Sequence, residues 1–313
     1  MKIRNLLLVF SLLVTSLLCA QEESEVELNT ETGTLKGSLV IPEAEAKFPV
    51  VLIIPGSGPT DRNGNNPMMS NNSLQMLAKG LAEQGIASLR IDKRGIAASG
   101  SAVSKEEDLR FETYIDDVVG WAMKLRNDPR FSELIIAGHS EGSLIGMIAS
   151  ERVKAEKFIS LAGTGRPAAD ILREQLSSQP PGVTLMTNPI LDSLEMGRTV
   201  DNVNPMLNAL FRPSVQPYLI SWFKYDPAEE IAKLDCPVLI LQGTTDIQVQ
   251  VEDAEFMAAV NPNFRKEILE GMNHVLKEAP ADRMENLKTY NDPTLPLKEG
   301  LLNILVSFIH QNK

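Results

Sequence analysis

Two cysteines, Cys19 and Cys236, are all that the 313-residue chain contains, and Cys19 lies inside an N-terminal apolar run. Once that run is removed no internal disulfide is available, so the fold has to stand on packing alone. With 43% apolar residues the chain can bury a core large enough to do so. Basic residues are in deficit as well, 30 against 41 acidic, and removal of Lys2 and Arg4 takes the net charge to −13. That sign opposes binding to nucleic acid or anionic lipid and leaves a small molecule as the expected partner. Zinc patterns such as H-E-x-x-H are missing, as is G-x-G-x-x-G, so neither a metal nor a cofactor is expected. Histidine is scarce too, at three residues.

The long apolar run itself stands at the start, in MKIRNLLLVFSLLVTSLLCAQEE. Lys2 and Arg4 precede a stretch too short to span a bilayer comfortably, and small residues and acids follow it. This is the pattern of a secretory signal over residues 1–20, cleaved after Ala20, and it implies an exported chain, periplasmic or secreted, with no stable membrane span once mature. Lipid attachment at Cys19 is the competing reading, disfavoured because Leu17 and Leu18 are bulky for that pattern. Nothing in the chain sets an oligomeric state.

Short apolar runs then alternate with helical patterns: VVLII (50–54), IASLRI (86–91), LIIAG (134–138), FISLAG (158–163) and VLILQG (238–243). Between them LQMLAKGLAEQ and FETYIDDVVGWAMKLR repeat apolar residues at three and four spacings, as helices covering a sheet do. The rhythm predicts an α/β fold with a mostly parallel, doubly covered sheet. VELNTETGTLKGSLVIP, which alternates around Gly33, predicts an antiparallel hairpin at the edge. More than sixty residues separate FISLAG from VLILQG, with QPPG at 179–182 and candidate helices ADILREQL, PILDSLEM and VQPYLISWFKY. Plain loops are rarely so long, so a helical cap over 163–228 is expected, inserted into a core of 21–162 and 229–313. Cys236, at the mouth of an apolar run, reads as a buried inert thiol.

G138-H-S-E-G142 is a G-x-S-x-G sequence placed between a strand and a helix carrying Leu144, Ile145, Ile148 and Ala149. In such an elbow the serine backbone is strained, and side chains two residues before or after it would clash. Gly138 and Gly142 meet that demand. The following helix brings its N-terminal N–H groups and positive dipole end to the Ser140 oxygen, where charge develops in acyl transfer. A serine hydroxyl needs a base. His139 adjoins Ser140 on a tight turn and should point away from it, and His310 lies on a terminal helix. His274, in a loop after the likely strand RKEILE, is therefore the candidate base. Asp246, just past VLILQG at the carboxyl edge of the sheet, is the acid that fixes its tautomer. Asp235 falls at the wrong end of that strand, and Glu252 and Asp253 read as the exposed start of the next helix.

Taken together, IPGSGPTDRNGN (54–65), DKRGIAASG (92–100), GHSEGS, LQGTTD and MNH resemble the α/β-hydrolase superfamily, in its serine-aminopeptidase-like and short-chain esterase branch, from Phe48 to His310. The resemblance implies two oxyanion donors acting through backbone N–H, Ser57 of P55-G-S-G58 and Glu141 after the nucleophile. It implies a serine esterase that cleaves short-chain acyl esters through an acyl-enzyme on Ser140. A serine aminopeptidase or acyltransferase on the same triad remains an alternative, with Asp170, Asp192, Glu195 and Asp201 available to hold a substrate amine. A catalytically inactive binding module is disfavoured because Ser140, Asp246 and His274 are all present. Ala97 departs from the family's loop, which commonly has glycine there; the loop reads as structural. Asp61 and Arg62 could touch substrate or reach the Glu141 carboxylate, although turn chemistry explains most of that segment. Met186, Met196, Met206, Leu207, Leu210, Phe211 and Trp222 form an apolar set able to line an acyl pocket.

Overall fold

The structure, a computed structural model, describes residues 22–43 and 47–311. The expected signal segment, with Cys19 and Ala20, lies outside the described residues. The apolar runs become strands: β1 (Glu22–Thr30), β2 (Gly33–Ile41), β3 (Phe48–Ile54), β4 (Ala87–Ile91), β5 (Phe131–His139), β6 (Lys157–Leu161), β7 (Val238–Gly243) and β8 (Arg265–Leu269). They form one sheet in the order β1-β2-β4-β3-β5-β6-β7-β8. β1 and β2 pair as the antiparallel hairpin around Gly33, with Thr30 opposite Gly33, and β2 runs antiparallel to β4. Every pairing from β4 to β8 is parallel.

Alternation decides what each face of the sheet holds. Val50, Leu52 and Ile54 of β3 join one apolar cluster, and Val51 and Ile53 join the other. Burying each such side chain contributes roughly 1.5–3 kcal/mol. On the first face lie α2 (Phe111–Arg126) and α3 (Glu141–Val153); on the second lies α1 (Ser73–Ala82). Phe111, Tyr114, Ile115, Val118, Trp121, Ala122 and Leu125 of α2 are buried, the spacing that FETYIDDVVGWAMKLR shows. α3 departs from an amphipathic pattern because it is packed between the sheet, α2 and the helix before β7, and even its Glu141 is buried.

Between β6 and β7 the chain builds α4 (Ala168–Ser177), α5 (Pro181–Glu195), α6 (Asn208–Phe211), α7 (Gln216–Trp222) and α8 (Pro227–Ile231). α5 starts earlier than PILDSLEM suggests and runs through Pro189. Pro181 at its first turn suits the start, and Pro189, lacking an N–H, withholds the bond that the Leu185 carbonyl would otherwise accept. The inserted segment docks on the start of α2. Trp222 stacks on Phe111 at 5.9 Å between centroids, and the Phe111 N–H donates to Ser221 Oγ at 2.7 Å. The chain ends with α9 (Val251–Ala259), α10 (Arg283–Thr289) and α11 (Leu301–His310), α11 covering the second face. Among the described residues no helix is long and apolar enough to cross a membrane. Cys236 is half-buried against the core rather than fully enclosed, because it precedes β7 instead of lying in it.

Candidate active site

Six parallel strands release their carboxyl ends on one side of the sheet, and each hands a residue to the same region. β3 leads to Ser57, β4 to Lys93, β5 to Ser140, β6 to Thr164, β7 to Asp246 and β8 to His274. This is where open parallel sheets bind ligands. Ser57, Lys93, Ser140, Glu141 and Thr164 line a cavity of about 550 Å³, which α4, α6 and α7 complete with Ile171, Leu210 and Trp222.

Ser140 has φ 54° and ψ −124°, a conformation held by its surroundings. Its N–H donates to the Leu161 carbonyl at 2.9 Å. A Cβ on Gly138 would lie 2.1 Å from the Gly142 carbonyl oxygen, and one on Gly142 would lie 2.6 Å from the Ile54 carbonyl oxygen. The elbow therefore tolerates nothing larger than glycine at either place. Glu141 is the first residue of α3, where a backbone N–H has no intrahelical partner.

Asp246 and His274 are brought together. His274 Nδ1 donates to Asp246 Oδ2 at 2.8 Å, which leaves the lone pair on Nε2. The carboxylate is pinned from three further directions: by Gln242 Nε2 at 3.0 Å and by the N–H groups of Gln248 and Val249 at 2.8 and 3.0 Å. Burial alone pushes this carboxyl up, but the adjoining His274 and those two N–H groups outweigh it and hold it below the usual carboxylate range. Among the described residues no hydrogen bond joins Ser140 Oγ to His274 Nε2. Such bonds are often long before substrate binds.

His139 turns away from Ser140 as expected, and its destination ties the elbow to the His274 loop. Its Nε2–H donates to the backbone carbonyl of His274 at 2.7 Å, with the two rings 4.8 Å apart. Nδ1 is buried with no partner among the described residues. Burial, and secondarily the neighbouring His274, push the ring down to about 4 from 6.5. As pH falls below 6.5 the unfolded chain takes up a proton that the folded chain refuses until about 4, so this contribution is complete above 6.5 and lost toward 4. It amounts to about 3 kcal/mol. His139→Asn should flatten the fall in stability between pH 7 and pH 4, measured by urea unfolding; an unchanged slope would remove His139 from that account.

Other expected residues fall elsewhere. Arg62 Nε and Nη2 both donate to Asp92 Oδ2, and Asp61 accepts from the N–H groups of Asn63 and Asn65, so neither reaches Glu141. The residue that does is Lys93, at 2.9 Å, which motif reading passed over as part of a structural loop. A carboxylate next to an elbow serine on a buried helix needs a cation, and that was the available signal. Asp253 is not exposed: it is fully buried, accepting from the Gly165 N–H and Arg166. Its neighbour Glu252 is exposed. Of the apolar set named for the pocket, Leu210 and Trp222 line the cavity, while Met196 and Met206 are 66% and 76% exposed and Phe211 is buried in the core. Asp192 and Glu195 pair with Arg173, and neither they nor Asp170 and Asp201 line the cavity. Ala97, where glycine is common, has φ 44°, the backbone reason for that preference. Among the described residues no group of three His, Cys, Asp or Glu is placed to hold a metal ion.

Residues 69–202 match the family described as serine aminopeptidase, S33. Esterase EstD of Thermotoga maritima is 25% identical, over 84% of this chain and 64% of its own length, so the chain spans less than two thirds of that relative. Among solved structures, Est1E of Butyrivibrio proteoclasticus with ferulic acid bound aligns at a TM-score of 0.61 and 20% identity, over 84% of this chain and 94% of that one. GrgF of Penicillium sp. sh18, an alpha/beta hydrolase, aligns at 0.60 and 18% identity, over 92% and 98%. At these identities the structural likeness establishes the fold.

Proposed function

We propose that this chain, a member of the α/β-hydrolase superfamily, is an exported serine carboxylesterase that cleaves short-chain acyl esters through an acyl-enzyme on Ser140. The observation that carries the reading is the His274–Asp246 pair on the strand ends, tied through the His274 carbonyl to His139 of the elbow, whose Ser140 and Glu141 line a largely apolar cavity. His274 Nε2 takes the Ser140 proton, and the alkoxide attacks the ester carbonyl carbon. The tetrahedral oxyanion accepts from the Ser57 and Glu141 N–H groups. His274 then gives its proton to the leaving alcohol. Water, deprotonated by the same imidazole, attacks the acyl carbon and releases the acid and free Ser140.

An ester rather than an aminoacyl substrate is favoured by the carboxylates in the wall. An amine-binding site needs an acid with a free oxygen. Glu106 is taken by Arg212 and Ser214, and Glu141 by Lys93 and Tyr218. Export rests on the N-terminal segment with Lys2, Arg4 and the apolar run before Ala20.

The cavity, about 550 Å³, has to hold the acyl chain and the alcohol together. Each buried methylene adds about 0.8 kcal/mol until the acyl side is full. Across p-nitrophenyl esters kcat/KM should therefore peak between acetyl and hexanoyl and fall for long chains. Palmitoyl esters or aminoacyl amides turned over about ten times better than the short esters would replace this reading with a lipase or an aminopeptidase.

A further inference from the structure

Lys93 is the second residue beyond β4, and both its neighbours are clamped: Asp92 by Arg62, and Arg94 by Asp117. Its own side chain is 3% exposed. The ammonium donates to the Gly56 carbonyl at 2.6 Å and to Glu141 Oε2 at 2.9 Å, and it lies 5.2 Å over the Tyr114 ring. Glu141 Oε1 accepts from the Tyr218 hydroxyl at 2.6 Å, which ties in α7 of the inserted segment. Burial first, and then the Glu141 charge, push the Tyr218 phenol well above its ordinary range, so it remains a donor.

The two groups that Lys93 grips belong to the two oxyanion segments. The Gly56 carbonyl and the Ser57 N–H are opposite ends of one planar trans peptide unit, so holding the carbonyl aims the N–H. A cation on that oxygen also draws charge through the amide and strengthens its N–H as a donor. The second donor is the Glu141 N–H, and the side chain of that residue is anchored to the same cation. Gly56 lies directly against the elbow, since a Cβ there would be 3.2 Å from Ser140 Cβ.

We propose that Lys93 is a positioning residue for the oxyanion hole, a buried cation that holds the Ser57 and Glu141 amides at a fixed separation, with the Glu141 carboxylate and the Tyr218 hydroxyl completing the clamp. The proposal rests on the esterase reading and its two donors. Stability alone does not call for this arrangement, because a buried ion pair recovers little more than its own desolvation cost and apolar groups of the same volume would do as well. The bonds of the ammonium go to protein groups, so it acts on the reaction through the two amides.

The test compares a p-nitrophenyl ester with the matching thionoester, whose developing negative charge falls on sulfur, a larger atom and a weak hydrogen-bond acceptor. Lys93→Met is measured beside Lys93→Met/Glu141→Gln, which leaves no lone buried carboxylate, and beside Tyr218→Phe, which removes one hydroxyl. With folding checked by near-UV circular dichroism, kcat for the ester should fall on the order of 100-fold in both Lys93 variants, with KM little changed. Thionoester turnover should fall far less, so the preference for oxygen shrinks about tenfold or more, and Tyr218→Phe should move the same ratio in the same direction by a smaller factor. Equal losses on both substrates, or no loss on either, would overturn the positioning role while leaving the esterase reading intact. If the Lys93 variants fail to fold, Tyr218→Phe decides, and an unchanged ratio there overturns the clamp. Wild-type protein that turns over neither substrate would sink the esterase reading and this proposal with it.

Discussion

Ser140→Ala should lower ester turnover on the order of 10⁶-fold while the protein stays folded. The size follows from the role given to the hydroxyl: without it His274 has no proton to take, and the remaining donors act only on water's slow attack. Survival of the fold follows from the backbone. The bond from residue 140 N–H to the Leu161 carbonyl does not involve the side chain, and the close approach of Gly138 to Gly142 is untouched. Alanine has to accept φ 54°, a strain that serine already bears. A fluorophosphonate probe should label the wild-type chain with one equivalent and the variant not at all. Full labelling of a folded alanine variant would take Ser140 out of the mechanism.

Asp246→Asn comes next in size, on the order of 10⁴-fold in kcat with KM nearly unchanged. Oδ2 of Asp246 now accepts from both His274 Nδ1 and Gln242 Nε2, and Oδ1 accepts from two backbone N–H groups. An asparagine keeps the second set by turning its oxygen toward Gln248 and Val249. Its NH₂ then faces His274, and the imidazole has to present a lone pair at Nδ1 and carry its proton on Nε2. The proton then sits where the base is needed. Asp253→Asn is the informative companion, since Asp253 stands seven residues after Asp246 yet is buried and bound to Arg166 rather than to His274. It should reduce stability and spare kcat. A fully active Asp246→Asn variant beside an inactive, folded Asp253→Asn one would move the acid to residue 253.

How much of this was legible in sequence depended on whether the physical demand was local. The elbow was, because the glycines that relieve its crowding stand two residues from Ser140. Chain order and strand ends were enough to bring Asp246 and His274 to one edge of the sheet, where they pair, since a residue just past an apolar parallel strand has one place to go. The partners of buried charges were not legible. Glu141 meets a lysine 48 residues away and Asp253 an arginine 87 residues away, and neither separation has a pattern. Asp253 was misread for that reason: a carboxylate in the first turn of a helix is ordinarily solvated, and only the approach of Arg166 makes its burial tolerable. The pocket wall failed differently. Met196 and Met206 are apolar, but which side of a helix end or turn faces inward is set by packing within the inserted segment, where α5 meets α4 and α7.

The order of the strands also decides when the site exists. Six of the eight strands, and the whole Ser140 elbow, belong to the first 161 residues, whereas Asp246 and His274 come from the last two strands added at one edge. On the proposed mechanism the serine is therefore made long before its base, and a chain that has not yet added β7 and β8 carries a nucleophile with nothing to deprotonate it. On that mechanism hydrolytic competence is the last property to arrive.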